Sequence, residues 1–249
     1  MKKKVIIPIP SNDFDPTETA VPWKILSNNG VEVVFSTPKG LPGWCDPLML
    51  NGKGLGILAP VLQADRNGRQ AYKEMSEAKE FLNPIEWSDI DTDQYDGLIL
   101  PGGHAKGMRV YLESQVLQNV VSRFFLSEKP VGAICHGVVL AARSKRDDGI
   151  SVLHGKKTTA LLASQELMAW GLTCLWLQDY YRTYPMTVES EVRSALASNA
   201  DFIKGPLALS RDEPDRLDTG FCVRDGNYLS SRWPGDAHKF GNEFLKLLK

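Results

Sequence analysis

Short apolar runs alternate along the chain with longer segments that are apolar on one side only. The runs at 4–9, 31–37, 95–100 and 131–134 are predominantly apolar, which is the pattern of strands that are buried on both faces of a sheet. Segments with helical periodicity separate these runs. Such alternation is typical of a mostly parallel sheet with helices on both faces, so the sequence predicts an α/β fold.

Helical periodicity fills the intervals between the strands. Predicted helices lie at about 17–29, 69–81, 108–126, 138–142, 188–197 and 234–248, and another begins near Ser164. Thr17 is the predicted N-cap of the first helix and Gly30 its end, while Pro22 is expected to bend the helix near its start. Later in the chain, the pattern predicts a strand at 157–161 and a hairpin at 221–231.

The regular alternation breaks between residues 41 and 93, where glycine and proline are frequent. A segment of this length is too long to be a bare loop. We expect it to be an insertion that packs beside the sheet and roofs the site. The 249 residues are therefore interpreted as one α/β domain, 1–249, with an insertion or cap at about 41–93.

Composition excludes few soluble classes but gives no sign of a nucleic-acid or membrane partner. The chain has 29 basic and 30 acidic residues, and 43% of its residues are hydrophobic, as in an ordinary globular protein. The apolar stretch near the N-terminus is too short for a signal segment or a membrane span. Four scattered cysteines without metal-site spacing fit a reducing compartment, so we expect a cytoplasmic protein.

Cys135 lies where a buried strand changes into a helix. The strand 131–134 ends at this residue, and Ala133 before it and Gly137 after it leave room for a sharp turn. This is the pattern of a nucleophile elbow. We expect the turn to lift the sulfur toward solvent, and the helix N-terminus to favour the thiolate. Most lone cysteines are inert and buried, but the elbow and the adjacent His136 favour a reactive one.

A glycine turn is predicted at the same edge of the sheet. The sequence Pro-Gly-Gly-His at 101–104 follows the strand 95–100 directly. Paired glycines at the carboxyl end of a strand let backbone N–H groups approach a ligand, and open α/β sheets bind ligands at this edge. The N–H of Gly103 is therefore a candidate donor to an oxyanion. An ordinary tight turn is the alternative for this glycine pair.

The sequence alone does not assign a function to Glu166 or to the segment 180–185. Glu166 falls in the first turn of the helix that begins near Ser164, where an acidic residue usually just stabilises the helix dipole. The segment 180–185 carries three tyrosines, whose rings could line a pocket or pack against the sheet.

The Pro-Gly-Gly-His turn at 101–104 and the Ala-Ile-Cys-His-Gly sequence at 133–137 together resemble the paired motifs of the ThiJ/PfpI superfamily, which is related to the class I glutamine amidotransferases. The strand end at 36–40, the entry to the last helix at 233–236 and Glu18 also have counterparts there. Arg232 stands where relatives often have glycine. The length and the insertion make the chain most similar to the glyoxalase III and chaperone branch.

The resemblance implies a flavodoxin-like sandwich with a small cap and a catalytic set at the sheet edge. It implies Cys135 as nucleophile, His136 as base, Glu18 as a protonated carboxylic acid beside the sulfur, and Glu166 as the third triad residue. The implied oxyanion donors are the backbone N–H groups of Gly103 and His136. No cofactor is implied, and no metal is assigned because the ligands used by some chaperone-branch members have no identifiable counterparts. A homodimer is also expected.

Three functions remain open on this basis. The favoured one is a cofactor-independent glyoxalase III-like lyase that converts methylglyoxal to lactate, or a related protein deglycase, with a small aldehyde as substrate. The second is hydrolysis of amide or peptide bonds by the same cysteine. The third is a holdase chaperone that uses an exposed apolar patch, with Cys135 as a redox sensor of stress.

Overall fold

A computed structural model describes residues 2–207 and 210–249. In chain order the strands are β1 (Lys4–Pro8), β2 (Asn12–Phe14), β3 (Glu32–Thr37), β4 (Trp44–Cys45), β5 (Ile85–Glu86), β6 (Gly97–Leu100), β7 (Val131–Ile134), β8 (Cys222–Asp225) and β9 (Tyr228–Ser231). The helices are α1 (Pro16–Asn28), α2 (Pro47–Asn51), α3 (Ala59–Leu62), α4 (Arg66–Ser76), α5 (Lys79–Leu82), α6 (Arg109–Leu112), α7 (Gln115–Leu126), α8 (Gly137–Arg143), α9 (Ala163–Leu177), α10 (Val188–Ser194) and α11 (Ala237–Leu247).

The main sheet has seven strands in the order β5-β3-β1-β6-β7-β9-β8. Every pairing in it is parallel except the terminal hairpin of β8 and β9. Strands β6 and β7 are buried along their whole length, because apolar side chains on both faces pack against helices. Helices α1, α4 and α11 form one packed group, and α6, α7 and α8 form another. This arrangement confirms the predicted flavodoxin-like α/β fold.

The topology places the site at the carboxyl ends of the central strands. Strand β6 pairs with both β1 and β7, so the turns that follow β6 and β7 are neighbours. In parallel α/β sheets this edge is where ligands bind. The sheet therefore brings the glycine turn and the cysteine turn together, although about 30 residues separate them along the chain.

The predicted strand at 157–161 is wrong. Thr158 forms only an isolated bridge to Phe202. The neighbouring backbone N–H groups donate to side chains of the terminal hairpin instead, since Thr159 N bonds to Ser230 Oγ at 2.9 Å and Lys157 N bonds to Asp225 Oδ2 at 2.9 Å. Side-chain oxygens thus accept the hydrogen bonds that backbone carbonyls of a neighbouring strand would accept in a sheet. The periodicity of a sequence does not reveal bonds of this kind.

Two predicted helices also differ in detail. The single helix expected at 108–126 is broken into α6 and α7, because Ser114 caps a new helix by accepting from Leu117 N at 3.3 Å. The N-cap of α1 is Asp15 rather than Thr17, and its Oδ1 accepts from Thr17 N at 2.8 Å and Glu18 N at 3.0 Å. Helix α1 continues through Pro22.

The irregular range 41–93 contains β4, α2 to α5 and β5. Strand β4 pairs with β2 in a separate two-stranded sheet, α4 packs on α1, and β5 adds to the edge of the main sheet beside β3. The end of this range therefore belongs to the main sheet. The interpretation of 1–249 as one domain with an insertion at 41–93 stays a prediction. No helix within the described residues is long and apolar enough to cross a membrane.

A buried ion pair fixes the chain where it enters α11. Arg232 is 1% exposed and binds both carboxylate oxygens of Asp236, at 2.9 Å each. Its Nη1 also donates to the carbonyl of Pro206 at 2.6 Å, and its guanidinium lies over the ring of Phe221. Arg232, which stands where relatives often have glycine, thus connects Pro206 to the start of α11.

Replacing Arg232 with methionine should lower the free energy of unfolding by about 3–5 kcal/mol, because the Asp236 carboxylate is left buried without its partner. Urea denaturation monitored by circular dichroism measures this change. Lys3→Met, which breaks an exposed pair with Asp96, is the control and should cost less than about 1 kcal/mol. A loss for Arg232→Met as small as that of the control would contradict the expected role of the ion pair.

Candidate active site

Cys135 occupies a sharp corner between β7 and α8. Its φ is +56°, a left-handed conformation that costs a non-glycine residue on the order of 1 kcal/mol or more. The N–H of Cys135 donates to the carbonyl of Ser231 at 3.0 Å, which ties the corner to β9. A Cβ on Gly137 would lie 2.0 Å from the carbonyl oxygen of Leu100, so only glycine fits there. The structure thus has the tight strand-to-helix turn that the sequence predicted.

The sulfur is not lifted toward solvent as the sequence suggested, because Cys135 is only 2% exposed. An aromatic roof formed by His104, Tyr180 and Tyr181 lies on this side of the sheet. The rings of His104 and Tyr181 stack with centroids 4.6 Å apart, and the His104 ring lies 6.3 Å from that of His136. The tyrosines thus contribute to the surroundings of the site, one of the two uses left open for their segment.

Glu18 reaches the cysteine from the first turn of α1. Its side chain is fully buried, and Oε2 accepts a hydrogen bond from Gly102 N at 2.9 Å. Burial raises the pKa of this carboxyl well above its usual value, and the nearby Asp15 raises it further, while contacts with the Cys135 thiol and the Gly102 N–H act in the opposite direction. Burial therefore favours the protonated form of Glu18, which is the form that the family resemblance implies.

The Cys135 thiol is also protonated at rest. Burial raises its pKa well above the ordinary value, with further contributions from Glu18 and Asp15. This is opposite to the thiolate that the helix N-terminus was expected to favour, because removing the sulfur from water outweighs the attraction of the helix dipole here. Any reaction at sulfur must therefore begin with transfer of its proton.

His136 lies directly beside the sulfur. Its Nδ1 is 3.5 Å from Cys135 Sγ, and its Nε2 is 3.0 Å from the hydroxyl of Thr183. Burial lowers the pKa of this imidazole to about 3, with smaller contributions from His104 and Arg143. The ring is therefore neutral at physiological pH, as a base that accepts the thiol proton must be.

Glu166 is not brought to the imidazole. The residue lies in the first turn of α9 as predicted and is 3% exposed, but its Oε2 accepts from Val188 N at 2.9 Å and its Oε1 lies 3.2 Å from Arg182 Nε. The hydroxyl of Thr183 occupies the position at Nε2 that a triad carboxylate would take. Glu166 instead anchors the segment that carries Thr183, which corrects its expected direct role.

The two candidate oxyanion donors lie in the adjoining turns. Gly103 has a φ of +150°, and a Cβ there would lie 2.7 Å from the carbonyl oxygen of Asp13. A Cβ on Gly102 would lie 2.7 Å from His136 N, so this turn passes directly beside the elbow. Within the part of the chain that the structure describes, neither Gly103 N nor His136 N donates to a protein oxygen. The His136 N–H faces the Cys135 sulfur, where its hydrogen bond lowers the pKa of the thiol. The role of both N–H groups as oxyanion donors stays a prediction.

The structure adds two residues that the sequence interpretation did not identify. Asp15 is 3% exposed, and burial raises its pKa to about 6; its position before Pro16 was a readable N-cap signal. Thr183 is 1% exposed and is not distinguished by any local pattern. Among the described residues no group of three or more His, Cys, Asp and Glu side chains is arranged to hold a metal ion.

The fold and the site together define a flavodoxin-like protein with a cysteine elbow at the sheet edge. A family model described as ThiJ/PfpI family-like matches residues 9–206, and the chain belongs to this family. DJ-1 homolog D of Arabidopsis thaliana is 30% identical over 233 residues, which cover 93% of this chain but 44% of the plant protein. This chain thus spans less than half of that relative. Deglycase PfpI of Pyrococcus furiosus is 26% identical over 245 residues, covering 98% of this chain and 99% of the deglycase.

Solved structures share the fold over the whole chain. Glyoxalase III from Candida albicans aligns with a TM-score of 0.68 and 20% identity, covering 99% of this chain and 98% of that protein. DJ-1beta from Drosophila melanogaster aligns with a TM-score of 0.59 and 15% identity, covering 100% of this chain and 91% of the other. The expected superfamily is confirmed by the family model, and these structures confirm the fold.

Replacing Glu18 with glutamine should stabilise the protein more at pH 8 than at pH 5. A carboxyl whose folded pKa is raised contributes stability below its unfolded pKa, and this contribution is lost as the pH rises toward the folded value. The difference between the unfolding free energies of Glu18→Gln and wild type should grow by up to about 1.4 kcal/mol for each pH unit between the unfolded and the folded pKa of Glu18. Urea denaturation at both pH values measures it, with the exposed Glu77→Gln as the matched control. A Glu18→Gln effect that is equal at the two pH values would show that Glu18 is ionised in the folded state.

Proposed function

We propose that this protein is a cysteine-dependent enzyme that acts on small α-oxoaldehydes, converting methylglyoxal to lactate without a cofactor. The observation that carries the proposal is the neutral imidazole of His136, whose Nδ1 lies 3.5 Å from Cys135 Sγ, next to a buried Glu18 that holds a proton. A nucleophile (Cys135), a base (His136) and an acid (Glu18) thus lie together in a buried site. This is the set that intramolecular proton transfer between adjacent carbons requires.

The first step is addition of the sulfur to the aldehyde carbon. An S–C bond forms, the π electrons of the carbonyl move to its oxygen, and the thiol proton passes to Nδ1 of His136. The developing oxyanion is placed at the N–H groups of Gly103 and His136. One such donor typically contributes about 3 kcal/mol in the transition state. The imidazolium then returns the proton to this oxygen, which gives a neutral hemithioacetal.

The second stage moves a proton between carbons. His136 removes the proton from the carbon that carries sulfur, while Glu18 protonates the neighbouring carbonyl oxygen, which produces an enediol. The imidazolium then protonates the second carbon, and Glu18 regains its proton from the hydroxyl on the first carbon as a thioester forms. Water cleaves the thioester and releases lactate and the free thiol. The balance is methylglyoxal plus one water to lactate, with no external oxidant or reductant.

The related deglycase activity begins with the same attack. When the carbon attacked by sulfur is a hemiaminal, which carries both a hydroxyl and a protein amine, the S–C bond forms as the C–N bond breaks and the amine leaves with the thiol proton. The resulting hemithioacetal then undergoes the same proton shift. The names of the relatives support both substrates, since one is a deglycase and a fold neighbour is a glyoxalase III. The hydrolase alternative has less support, because the carboxylate expected to complete its triad is bound to Arg182 and Val188.

Purified wild-type protein should convert methylglyoxal to lactate, and Cys135→Ser should abolish this activity. Glu18→Gln should lower kcat by about 100-fold, because the amide cannot transfer a proton to the substrate oxygen. Lactate is measured enzymatically, and a parallel panel of aminoacyl amides tests for hydrolysis. Cys174→Ser, which alters a cysteine in α9 whose sulfur hydrogen-bonds only to the Gly171 carbonyl among the described residues, is the control and should remain active. Equal lactate formation by wild type and Cys135→Ser would refute the proposal.

A second candidate function has one observation in its favour. Helix α9 exposes several apolar side chains, namely Leu167, Met168, Leu172, Leu175 and Trp176, of which Leu175 is 92% exposed. A surface of this kind marks a protein interaction site. We propose it as the client-binding surface of a holdase or, alternatively, as the interface of the expected homodimer.

The double variant Met168→Ser, Leu175→Ser separates these uses from the enzymatic one. If α9 binds clients, this variant should lose suppression of client aggregation while Cys135→Ala retains it, as light scattering would measure. If α9 forms the homodimer, sedimentation should show a dimer for wild type and a monomer for the variant. A variant that changes neither property would exclude α9 from both uses.

A further inference from the structure

The hydroxyl of Thr183 connects the candidate base to the glycine turn. It lies 2.6 Å from the carbonyl oxygen of His104 and 3.0 Å from Nε2 of His136. The side chain is 1% exposed, so water does not compete for either contact. The directions of these two hydrogen bonds can therefore be worked out from the atoms present.

A carbonyl oxygen can only accept a hydrogen bond, and a hydroxyl has one hydrogen to donate. The hydrogen of Thr183 must therefore point to the His104 carbonyl, because two oxygens 2.6 Å apart need a hydrogen between them. The hydroxyl oxygen then has only lone pairs to offer Nε2 of His136. Consequently Nε2 must carry the hydrogen in this contact.

A neutral imidazole carries one N–H, so a hydrogen on Nε2 leaves Nδ1 with a free lone pair. This nitrogen is the one that lies 3.5 Å from Cys135 Sγ. The thiol can then donate its proton to Nδ1 without any rearrangement of the ring. With the other tautomer, an N–H would face the sulfur and the imidazole could not act as a base toward it.

We propose that Thr183 is a positioning residue, which fixes His136 in the tautomer that accepts the proton of Cys135. It performs the task that a carboxylate performs in a Ser-His-Asp triad, namely to hold the tautomer and the ring orientation. Unlike a carboxylate, it introduces no charge into the site. The proposal rests on the proposed function only for its activity measurement.

The segment around Thr183 is held on both sides. Arg109 donates to the Thr183 carbonyl through Nε at 2.9 Å and Nη2 at 2.5 Å. Glu166 contacts the residue before Thr183, with 3.2 Å between its Oε1 and Arg182 Nε, and accepts from Val188 N after it. The backbone therefore determines where the hydroxyl lies, and Glu166 affects His136 only through this segment.

The test compares Thr183→Val, which removes the hydroxyl at nearly equal volume, with Thr183→Ser, which keeps it. In wild type labelled with ¹⁵N-histidine, nuclear magnetic resonance should show Nδ1 of His136 without a proton and Nε2 with one, and a His136→Gln variant assigns the signals. In Thr183→Val this preference should be lost. Alkylation of Cys135 by iodoacetamide and kcat should both fall by about 10- to 100-fold, with KM changed less than about threefold.

Thr183→Ser should retain the tautomer and at least about a third of the wild-type rates, which separates the hydroxyl from the packing of the side chain. A protonated Nδ1 in wild type would overturn the proposal even if the valine variant does not fold. So would a folded Thr183→Val with unchanged tautomer and alkylation rate.

The tautomer and the alkylation rate require no aldehyde. If wild type makes no lactate but both measurements behave as expected, the positioning role stands and the proposed function fails. If wild type makes lactate but Nδ1 of His136 carries the proton, the proposed function stands and the positioning role of Thr183 fails.

Discussion

The contact between Gly137 and the end of β6 is the constraint on which the site depends. No side chain fits at residue 137, because its Cβ would lie 2.0 Å from the carbonyl oxygen of Leu100. The missing side chain lets α8 start directly beside the glycine turn, and this proximity forces Cys135 into its left-handed conformation. Because these turns touch, Gly102 lies beside His136 and binds Glu18, which brings the Glu18 carboxyl to the elbow.

Electrostatics explains why the resting site carries little charge. Burial holds the protons on Cys135 and Glu18 and keeps His136 neutral. In so dry a space each isolated charge would cost several kcal/mol. In the proposed reaction, the imidazolium and the oxyanion therefore form only when a substrate carbonyl is present to receive the electrons. The hydroxyl of Thr183, the proposed positioning residue, suits this arrangement because it is uncharged, whereas a carboxylate at Nε2 would add a buried anion to the site.

The sequence predicted the features that depend on neighbours along the chain. The strands β1, β3, β6 and β7 were evident from their apolar runs, and the elbow at Cys135 from the small residues around it. The segment 157–161 was misassigned because its bonds go to side chains of a distant hairpin. No single-sequence pattern contains such long-range pairings.

Within the site, the same division holds. Glu18 was identified through the family resemblance, and the structure places it at the sulfur. Glu166 was assigned through the same family resemblance, but its partners lie in the segment 182–188, whose path is determined by tertiary contacts. Thr183 could not be identified from the sequence, because its two hydrogen-bond partners are distant along the chain. They are Nε2 of His136, 47 residues away, and the carbonyl of His104, 79 residues away.

The aromatic roof has a consequence for the size of molecule that this site admits. Tyr180 is bonded through its hydroxyl to Asp46, and Tyr181 stacks on His104. The aromatic roof is therefore attached to the segment after β4 at one side and to the glycine turn at the other. A modified side chain on a folded protein, the second of the proposed substrates, brings its own backbone with it and needs more space beside the roof than a free three-carbon aldehyde. In the proposed function, the attachment of the roof to Asp46 therefore bears on which of these two substrates reaches Cys135.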